Sequence, residues 1–281
     1  MTATLLVSLA CGVLADEDES KMTEGIEQQW LKTLVSVEII PDKGDPKAVG
    51  TAFLVTRTNN HTLLVTAKHV ILNADGQLRT NLAYRFNQNN GPAALVPESH
   101  MLSYAQGWFL STTADVACRF IVFGDNFDIL RLPESQFLPV ARVQPGAPVL
   151  VPGFPLGIRS AEHAKPIVRR GIVARADADN LILDAFVFPG NSGGPVIYVP
   201  TIKVSGGLIK VPFVNRERVI GLVSSSISYI DTAVSQQTQR PRVTFEENSG
   251  LCNVVPIDAV LALLNRADVK QLDAVPDLRP K

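Results

Sequence analysis

Short apolar segments separated by turn-forming residues run along most of this chain, and this pattern restricts its fold more than any other feature. Such segments lie at 34–40, 50–56, 61–67, 116–123, 147–152, 167–174, 181–187, 195–199, 219–227 and 242–245, with Gly, Pro, Asn and Asp clusters between them. Strands of this length with no long helices between them are typical of a β-sandwich or β-barrel and not of βαβ units. The sequence therefore predicts an all-β fold.

Local patterns add a hairpin and two helices to this prediction. The segments 50–56 and 61–67 are joined by a short link containing Asn59-Asn60, which favours a hairpin. Apolar residues at helical spacing predict a short helix over 20–32 and a C-terminal helix over 256–265. The residues from 271 to 281 are polar and contain proline, so we expect a loose tail.

The N-terminus is uncharged from residue 2 to 15 and is followed by four acidic residues, 16–19. This resembles a short export signal cleaved after Ala15, so we expect a signal peptide at 1–15 and a secreted or periplasmic protein. The alternative is a short core helix or a mis-assigned start, in which case the protein is cytoplasmic. No other stretch reaches the roughly 18 apolar residues of a membrane helix, so we expect no stable membrane insertion.

Charge and cysteine content exclude several kinds of partner. The formal net charge is −1 and there is no Lys/Arg-rich run, so we expect no nucleic-acid partner. The three cysteines form no CxxC pair, so we expect no thiolate zinc site. Cys118 and Cys252 either pair or stay free, and the apolar segment around Cys118 favours a buried free thiol.

The segment 188–195, FPGNSGGP, carries the strongest chemical signal. Acyl transfer by serine needs an exposed hydroxyl and backbone N–H groups aimed at a carbonyl oxygen as it becomes an anion. Flanking glycines allow the tight turn that presents both. The segment predicts Ser192 as a nucleophile and the N–H groups of Gly190 and Ser192 as an oxyanion hole. The alternative is a glycine-rich turn without chemistry.

Two further segments supply candidate partners for Ser192. His69 follows the apolar segment LLVTA, and an imidazole suits a general base because its pKa lies near the working pH. Asp115 precedes the apolar segment VACRFIVF and is suited to orient His69, because an unpaired carboxylate is costly to bury. Each residue alone is more often structural, but together they form a His-Asp-Ser series.

Six segments of the sequence carry a family resemblance: GTAFLVT, LVTAKHV, ADVAC, VPGFPLG, PGNSGGPV and VIGLVSS. Through them the sequence resembles trypsin-like serine peptidases over about residues 34–265. Within them it is most similar to the bacterial HtrA/Deg-like group, although no PDZ module follows. The resemblance implies two six-stranded antiparallel β-barrels in a peptidase domain at 34–270. Barrel one would span about 34–140 and barrel two about 141–255, after an N-terminal segment 16–33. The triad would lie in the cleft between the barrels, with no metal or organic cofactor.

The resemblance also implies substrate contacts. The strand containing Val223, Ser224 and Ser225 would pair with an extended peptide. The pocket floor would lie in 183–188, where spacing selects Phe186 and predicts an apolar preference. A shift of two residues would select Asp184 and a basic preference. HtrA relatives trimerise through N-terminal segments, so residues 16–33 are a candidate for homo-oligomer contacts.

Three functional hypotheses remain from the sequence. The first is a serine endopeptidase acting on polypeptides through an acyl-enzyme. The second is a catalytically silent or resting protease-fold module that binds peptides or partner proteins. The third is a different hydrolase, such as an esterase using the same triad. The chain order and the β-rich pattern disfavour an α/β-hydrolase.

Overall fold

A computed structural model describes residues 28–57, 59–101, 107–160, 162–201, 203–205, 208–210 and 216–276. Strands dominate these ranges, so the predicted all-β class is confirmed. The predicted signal peptide at 1–15 and most of the predicted helix at 20–32 lie outside the described residues. None of the helices in the described ranges is long and apolar enough to cross a membrane.

The N-terminal half forms an eight-stranded sheet in the order β5-β4-β1-β2-β3-β7-β6, with β8 beside β2. Its strands are β1 (Leu34–Ile39), β2 (Lys47–Thr56), β3 (Thr62–Thr66), β4 (Leu82–Phe86), β5 (Ala94–Pro97), β6 (Phe109–Leu110), β7 (Ala117–Ile121) and β8 (Leu132–Pro133). Strands β2 and β3 form the predicted hairpin. Within the described residues no pairing joins β5 to β6, and the sheet has eight strands. The predicted six-stranded closure of this half is therefore not confirmed.

The C-terminal half is a closed barrel of six strands, in the order β10-β11-β16-β15-β12-β9. These are β9 (Pro148–Gly153), β10 (Ile167–Ala176), β11 (Leu181–Asp184), β12 (Pro195–Tyr198), β15 (Arg218–Val234) and β16 (Pro241–Pro256). Between β12 and β15, β13 (Lys203–Ser205) pairs with β14 (Leu208–Lys210).

Strands β15 and β16 continue well past the barrel as a two-stranded ribbon, residues 228–234 and 241–248. The ribbon pairs antiparallel from Ser228↔Asn248 to Val234↔Pro241, and most of its side chains are exposed. The sequence predicted much shorter strands at 219–227 and 242–245. A ribbon exposed on both faces has no buried side, so it lacks the apolar alternation that marks a strand.

Four helices complete the described structure: α1 (Gln28–Leu31), α2 (Lys68–Ile71), α3 (Ile257–Leu264) and α4 (Ala267–Asp273). Helix α3 confirms the predicted C-terminal helix. Helix α4 contradicts the predicted start of the tail, because residues 271–273 end a helix instead. Asp273 is buried there and accepts hydrogen bonds from Arg57 Nε at 3.0 Å and from the Asn59 side chain.

Each half has its own apolar core, and each core contains one of the two described cysteines. Cys118 packs with the N-terminal sheet and helices α3 and α4, whereas Cys252 packs inside the barrel. Both thiols are free, which decides the question that the sequence left open. Burial raises the pKa of each thiol to about 12, so both stay protonated at neutral pH.

Candidate active site

His69 and Asp115 leave neighbouring strands at the same end of the N-terminal sheet. His69 lies in α2, a single helical turn directly after β3, and Asp115 precedes β7, which pairs with β3 through Thr66↔Ala117. Asp115 Oδ2 lies 2.7 Å from His69 Nδ1, and Oδ1 accepts the backbone N–H of His69 at 3.0 Å. Because an ionised carboxylate only accepts, the proton sits on Nδ1 and the lone pair is on Nε2.

Asp115 is held in its charged form by its hydrogen bonds. Burial acts to raise the pKa of Asp115, but the bonds and charge of His69 and a 2.7 Å bond from Ser224 Oγ outweigh it and lower the pKa to about 2. The carboxylate is therefore ionised at neutral pH. Ser224, which the sequence assigned only to substrate binding, thus also holds the aspartate.

Ser192 lies in a tight loop between β11 and β12 that requires glycine at two positions. Gly190 has φ +102° and Gly193 has φ +82°, a region that favours glycine. A Cβ at Gly190 would lie 2.2 Å from the carbonyl oxygen of Phe154, and one at Gly193 would lie 2.1 Å from Thr66 Oγ1. The loop is thus pressed against both halves of the protein.

The backbone N–H groups of Gly190 and Ser192 donate no hydrogen bond to any described residue. The preceding carbonyl, that of Pro189, accepts a 2.7 Å bond from the N–H of Leu156. Since N–H and C=O point in opposite directions across a trans peptide, this bond turns the Gly190 N–H away from Leu156. The N–H groups of Gly190 and Ser192, to which the sequence analysis assigned the oxyanion hole, are therefore without a hydrogen-bond acceptor among the described residues.

Leu156 itself has an unusual backbone conformation, with φ 56° and ψ 19°. This left-handed region is uncommon for residues with a side chain. Its side chain is 62% exposed, so apolar burial does not hold the residue there. The chain just beyond it is anchored by Arg159, whose Nε lies 3.2 Å from the buried carboxylate of Glu38 in β1.

Thr51, in β2, makes four hydrogen bonds, two of which join the N-terminal sheet to the serine loop. Its hydroxyl donates to the Gly190 carbonyl at 2.7 Å and accepts from the Phe154 N–H at 3.1 Å. Its N–H donates to the Ser192 carbonyl at 2.8 Å, and its own carbonyl accepts from the Thr66 hydroxyl at 2.8 Å. Thr51 is fully buried, and the sequence analysis assigned it no role. The one feature of the sequence that could have marked Thr51 is that it is a polar residue within an apolar strand.

The hydroxyl of Ser192 is directed to β15. Its Oγ donates to the carbonyl oxygen of Ser224 at 3.1 Å, and no hydrogen bond within the described residues joins it to His69. Catalytic hydrogen bonds are often long or misaligned before substrate binds. Ser224 therefore links Asp115, through its side chain, to Ser192, through its carbonyl, and Asp115 in turn contacts His69.

Of the residues of β15 that the sequence analysis assigned to substrate binding, some are accessible and one is buried. Val223 is 1% exposed, and its N–H and C=O bond to Gly194 and Gly193, so its assignment to substrate binding was wrong: it anchors the serine loop. Ser225 is exposed at the end of the barrel, where its hydroxyl accepts a hydrogen bond from Asn253. The Ser224 carbonyl accepts the Ser192 hydroxyl.

Phe186 is also misplaced by the sequence. Its side chain is 53% exposed and lies against Gly250 of β16, so it does not form a buried pocket floor. The neighbours Ala185 and Val187 are the buried ones, because the segment continues the alternation of β11. Asp184, the alternative floor, is exposed and pairs with Leu251. Within the ranges described here, no group of three or more His, Cys, Asp or Glu side chains is arranged to hold a metal ion.

Comparison with known proteins gives one family match. The profile of the trypsin-like peptidase domain matches residues 50–206, more than half of the chain. No curated protein sequence matches.

Among solved structures, the HtrA-type protease AlgW with a tripeptide is 14% identical, with a TM-score of 0.48 and 86% of this chain covered. Variants of AlgW with one serine replaced by alanine give TM-scores of 0.45 with a tripeptide and 0.44 with a decapeptide, at 14% and 15% identity and with 83% and 82% of this chain covered. The chain spans 59% to 62% of the length of these structures.

Proposed function

The chain belongs to the trypsin-like peptidase family, and from this premise we propose that it is a serine endopeptidase using His69, Asp115 and Ser192. The observation that carries the proposal is the 2.7 Å contact of Asp115 Oδ2 with His69 Nδ1. This contact leaves Nε2 as a base. The backbone N–H groups of Gly190 and Ser192 would supply the oxyanion donors that acyl transfer also needs.

The first chemical step is attack of Ser192 Oγ on a scissile carbonyl. The hydroxyl leaves the Ser224 carbonyl by rotation about its Cα–Cβ bond and gives its proton to His69 Nε2 as the new C–O bond forms. The carbonyl oxygen becomes an anion on the N–H groups of Gly190 and Ser192. Donors of this kind are worth about 3 kcal/mol each in measured hydrolases. Asp115 stabilises the imidazolium that results.

The second step breaks the peptide bond. His69 returns its proton to the leaving amine, which departs and leaves an ester between Ser192 and the acyl half of the substrate. Water then attacks the ester, with His69 again taking a proton, and the carboxylic acid product leaves. Every step uses side chains and backbone of this chain, and the proposal requires no cofactor.

The substrates we propose are polypeptides with an apolar side chain at the cleavage site. Support comes from residues 185–188, AFVF, which carry no charge beside the serine loop. We further propose that residues 1–15 direct export, which makes the protein secreted or periplasmic. Homo-oligomer formation through residues 16–33 is a separate proposal, tested by the mass of the purified protein in solution.

A second candidate function is a resting module that binds peptides with little turnover. The bond from Ser192 Oγ to the Ser224 carbonyl favours it, because the hydroxyl is not paired with its base. In this case the same residues would hold a peptide without cutting it until a partner or peptide realigned the serine.

Labelling with a fluorophosphonate separates these candidates. The purified protein and its Ser192→Ala variant are treated in parallel and their intact masses recorded. A single adduct on the wild type, absent from the variant, together with cleavage of an unfolded protein, supports the endopeptidase. A folded wild type that takes up no adduct and cuts no peptide bond would instead support the resting module.

A further inference from the structure

The chain between β9 and β10 leaves the barrel and lies against the N-terminal sheet before it returns. Three contacts hold it there: Arg159 Nε lies 3.2 Å from the Glu38 carboxylate, the N–H of Ala93 donates to the Glu162 carbonyl at 2.7 Å, and the N–H of Ala164 donates to the Asn87 side chain at 2.8 Å. The contact made by Arg159 comes first after Leu156. A stretch of the C-terminal half is therefore fixed to the N-terminal sheet just beyond Leu156.

Glu38, in β1, is fully buried and is shared by two arginines from different halves of the protein. Arg85, from the neighbouring strand β4, donates to its two oxygens at 2.7 and 2.9 Å, and Arg159 donates to them at 3.2 and 3.5 Å. Burial acts to raise the pKa of Glu38, but the bonds and charges of both arginines outweigh it and lower the pKa. Because a buried carboxylate is costly unless it is paired, Glu38 favours keeping the second arginine in place.

Only a short turn separates Arg159 from Leu156. The N–H groups of Gly157 and Ile158 each donate to the carbonyl three residues earlier, at 3.1 and 3.0 Å. Gly157 has φ +70°, so it shares the left-handed region with Leu156. A turn closed by its own hydrogen bonds has little slack. The position of Arg159 therefore constrains the backbone of Leu156.

The other end of the turn is fixed as well. Phe154 is fully buried, and its N–H donates to the Thr51 hydroxyl at 3.1 Å. The Leu156 side chain is 62% exposed and contributes little to holding its own backbone. Without Arg159 the turn would be fixed closely at one end only, since the remaining contacts with the sheet lie further along the chain. A left-handed residue with a side chain would then be free to relax.

Leu156 in turn fixes the peptide that carries the Gly190 N–H. The Leu156 N–H donates to the Pro189 carbonyl at 2.7 Å, and a Cβ on Gly190 would lie 3.2 Å from the same nitrogen. A peptide unit is planar and rotates as a whole, so loss of this bond would let the N–H turn away from the site of the oxyanion. Gly190 itself offers little resistance, because glycine adopts many backbone conformations.

We propose that Arg159 is a positioning residue for the oxyanion hole. Its ion pair with Glu38 fixes the turn at Leu156, and this turn directs the Gly190 N–H towards the carbonyl oxygen of a bound substrate. Arg159 acts through Leu156 and not on the substrate. The inference rests on the proposed function, because the direction of the Gly190 N–H affects catalysis only if an oxyanion forms beside it.

The test compares how fast a fluorophosphonate labels Ser192 in folded variants, followed by intact mass. Arg159→Gln removes the ion pair and leaves Glu38 paired with Arg85, and labelling should slow by about tenfold, as for a weakened oxyanion donor. Arg159→Lys keeps the charge without the planar fork and should recover part of the rate. The midpoint of the pH dependence of labelling should equal that of the wild type, because the contacts of His69 are unchanged.

Arg85→Gln is the matched control. It removes the shorter pair of bonds to the same carboxylate but leaves the turn attached. Arg85→Gln should lower the midpoint of urea unfolding at least as much as Arg159→Gln does, and it should leave the labelling rate unchanged. If Arg85→Gln does not fold, Arg175→Gln takes its place, since it breaks an exposed ion pair with Asp177 away from the turn.

Three outcomes would overturn the inference and leave the proposed function standing. The first is equal labelling of the wild type and Arg159→Gln. The second is equal slowing by Arg159→Gln and its control, because the effect would then come from general loosening and not from the turn. The third is slowing with a shifted pH midpoint, which would mean that the triad itself is disturbed. A folded wild type that takes up no adduct is a different result, and it would overturn the proposed function together with this inference.

Discussion

The hydroxyl of Thr51 donates a 2.7 Å hydrogen bond to the carbonyl oxygen of Gly190, across 139 residues of sequence. The bond ties β2 of the N-terminal sheet to the loop that carries the proposed nucleophile. Because Gly190 also supplies a proposed oxyanion donor, the position of that donor depends on a side chain from the other half of the protein.

Replacing Thr51 by valine should therefore reduce catalysis more than binding. Thr51→Val keeps the shape of the side chain but leaves the Gly190 carbonyl and the Phe154 N–H without a partner. We expect kcat to fall by about tenfold to a hundredfold, the equivalent of a lost buried hydrogen bond, with a smaller change in KM. Peptide hydrolysis measures both constants. Thr51→Ser should restore most of the rate, and a lower melting temperature with unchanged kcat would contradict the assignment.

Asp115→Asn should remove most turnover while the fold persists. An asparagine amide at this position can donate to Nδ1, which would put the imidazole proton on Nε2 and abolish the base. The corresponding change in a measured serine protease lowers kcat about 10⁴-fold. Steady-state hydrolysis at neutral pH gives the value. Asp184→Asn, at an exposed position, is the control, and a similar loss in both variants would argue against a specific role.

The low pKa of Asp115 also predicts how stability changes with pH. Its pKa is about 2 in the folded protein against an ordinary value of 3.8, so the folded state binds the proton less readily. The stabilisation is fully present above the unfolded value and is lost as pH falls through the folded value. Urea unfolding of the wild type and Asp115→Asn should show a stability difference that is constant above about pH 5 and shrinks towards pH 2. A difference that grows on acidification would contradict this.

Replacing Leu156 by a residue branched at Cβ should slow the reaction of Ser192, although the Leu156 side chain is exposed. At φ 56° a β-branched residue is strongly disfavoured, so Leu156→Val should shift the backbone that bonds Pro189. We expect fluorophosphonate labelling of Ser192 to slow by about tenfold, as for a weakened oxyanion donor. Ile158→Val changes an exposed neighbour with an ordinary φ of −70° and should label normally. Equal rates in the two variants would show that the Leu156 conformation does not affect the loop.

Asp273→Ala should destabilise the protein without altering its active site. The Asp273 carboxylate lies 3.0 Å from Arg57 Nε and 3.2 Å from His61 Nδ1, and its loss removes one partner from each of these buried side chains. Breaking a buried ion pair costs about 3 kcal/mol or more. Chemical unfolding measures the change, with the exposed Asp268→Ala as the control. Fluorophosphonate labelling of the folded variant should match the wild type, and a changed rate would indicate coupling to Ser192.

Local sequence patterns predicted those elements of this protein that are determined by residues close together in the chain. The β2–β3 hairpin, helix α3 and the residues of the proposed triad were identified because turn residues, helical spacing and flanking glycines mark them directly. Helix α4 was missed because Asp273 is buried by pairing with Arg57, more than 200 positions away in the chain.

The two errors within the site have different origins. Phe186 was placed at a pocket floor by counting residues, but the local alternation of β11 turns its ring outward. Val223 was assigned to substrate because the family resemblance places its strand beside the substrate, yet its backbone groups bond to the serine loop. Those bonds join distant segments of the chain, which a single sequence does not reveal.

The Ser224 carbonyl accepts the Ser192 hydroxyl in the unoccupied protein, and a carbonyl oxygen can accept a second hydrogen bond. A peptide N–H that paired with β15 at Ser224 would share this acceptor or replace the hydroxyl on it. Replacement would leave the hydroxyl free to turn towards His69, so binding of an extended peptide and activation of the nucleophile would be coupled. Without a peptide, the serine would then have low reactivity.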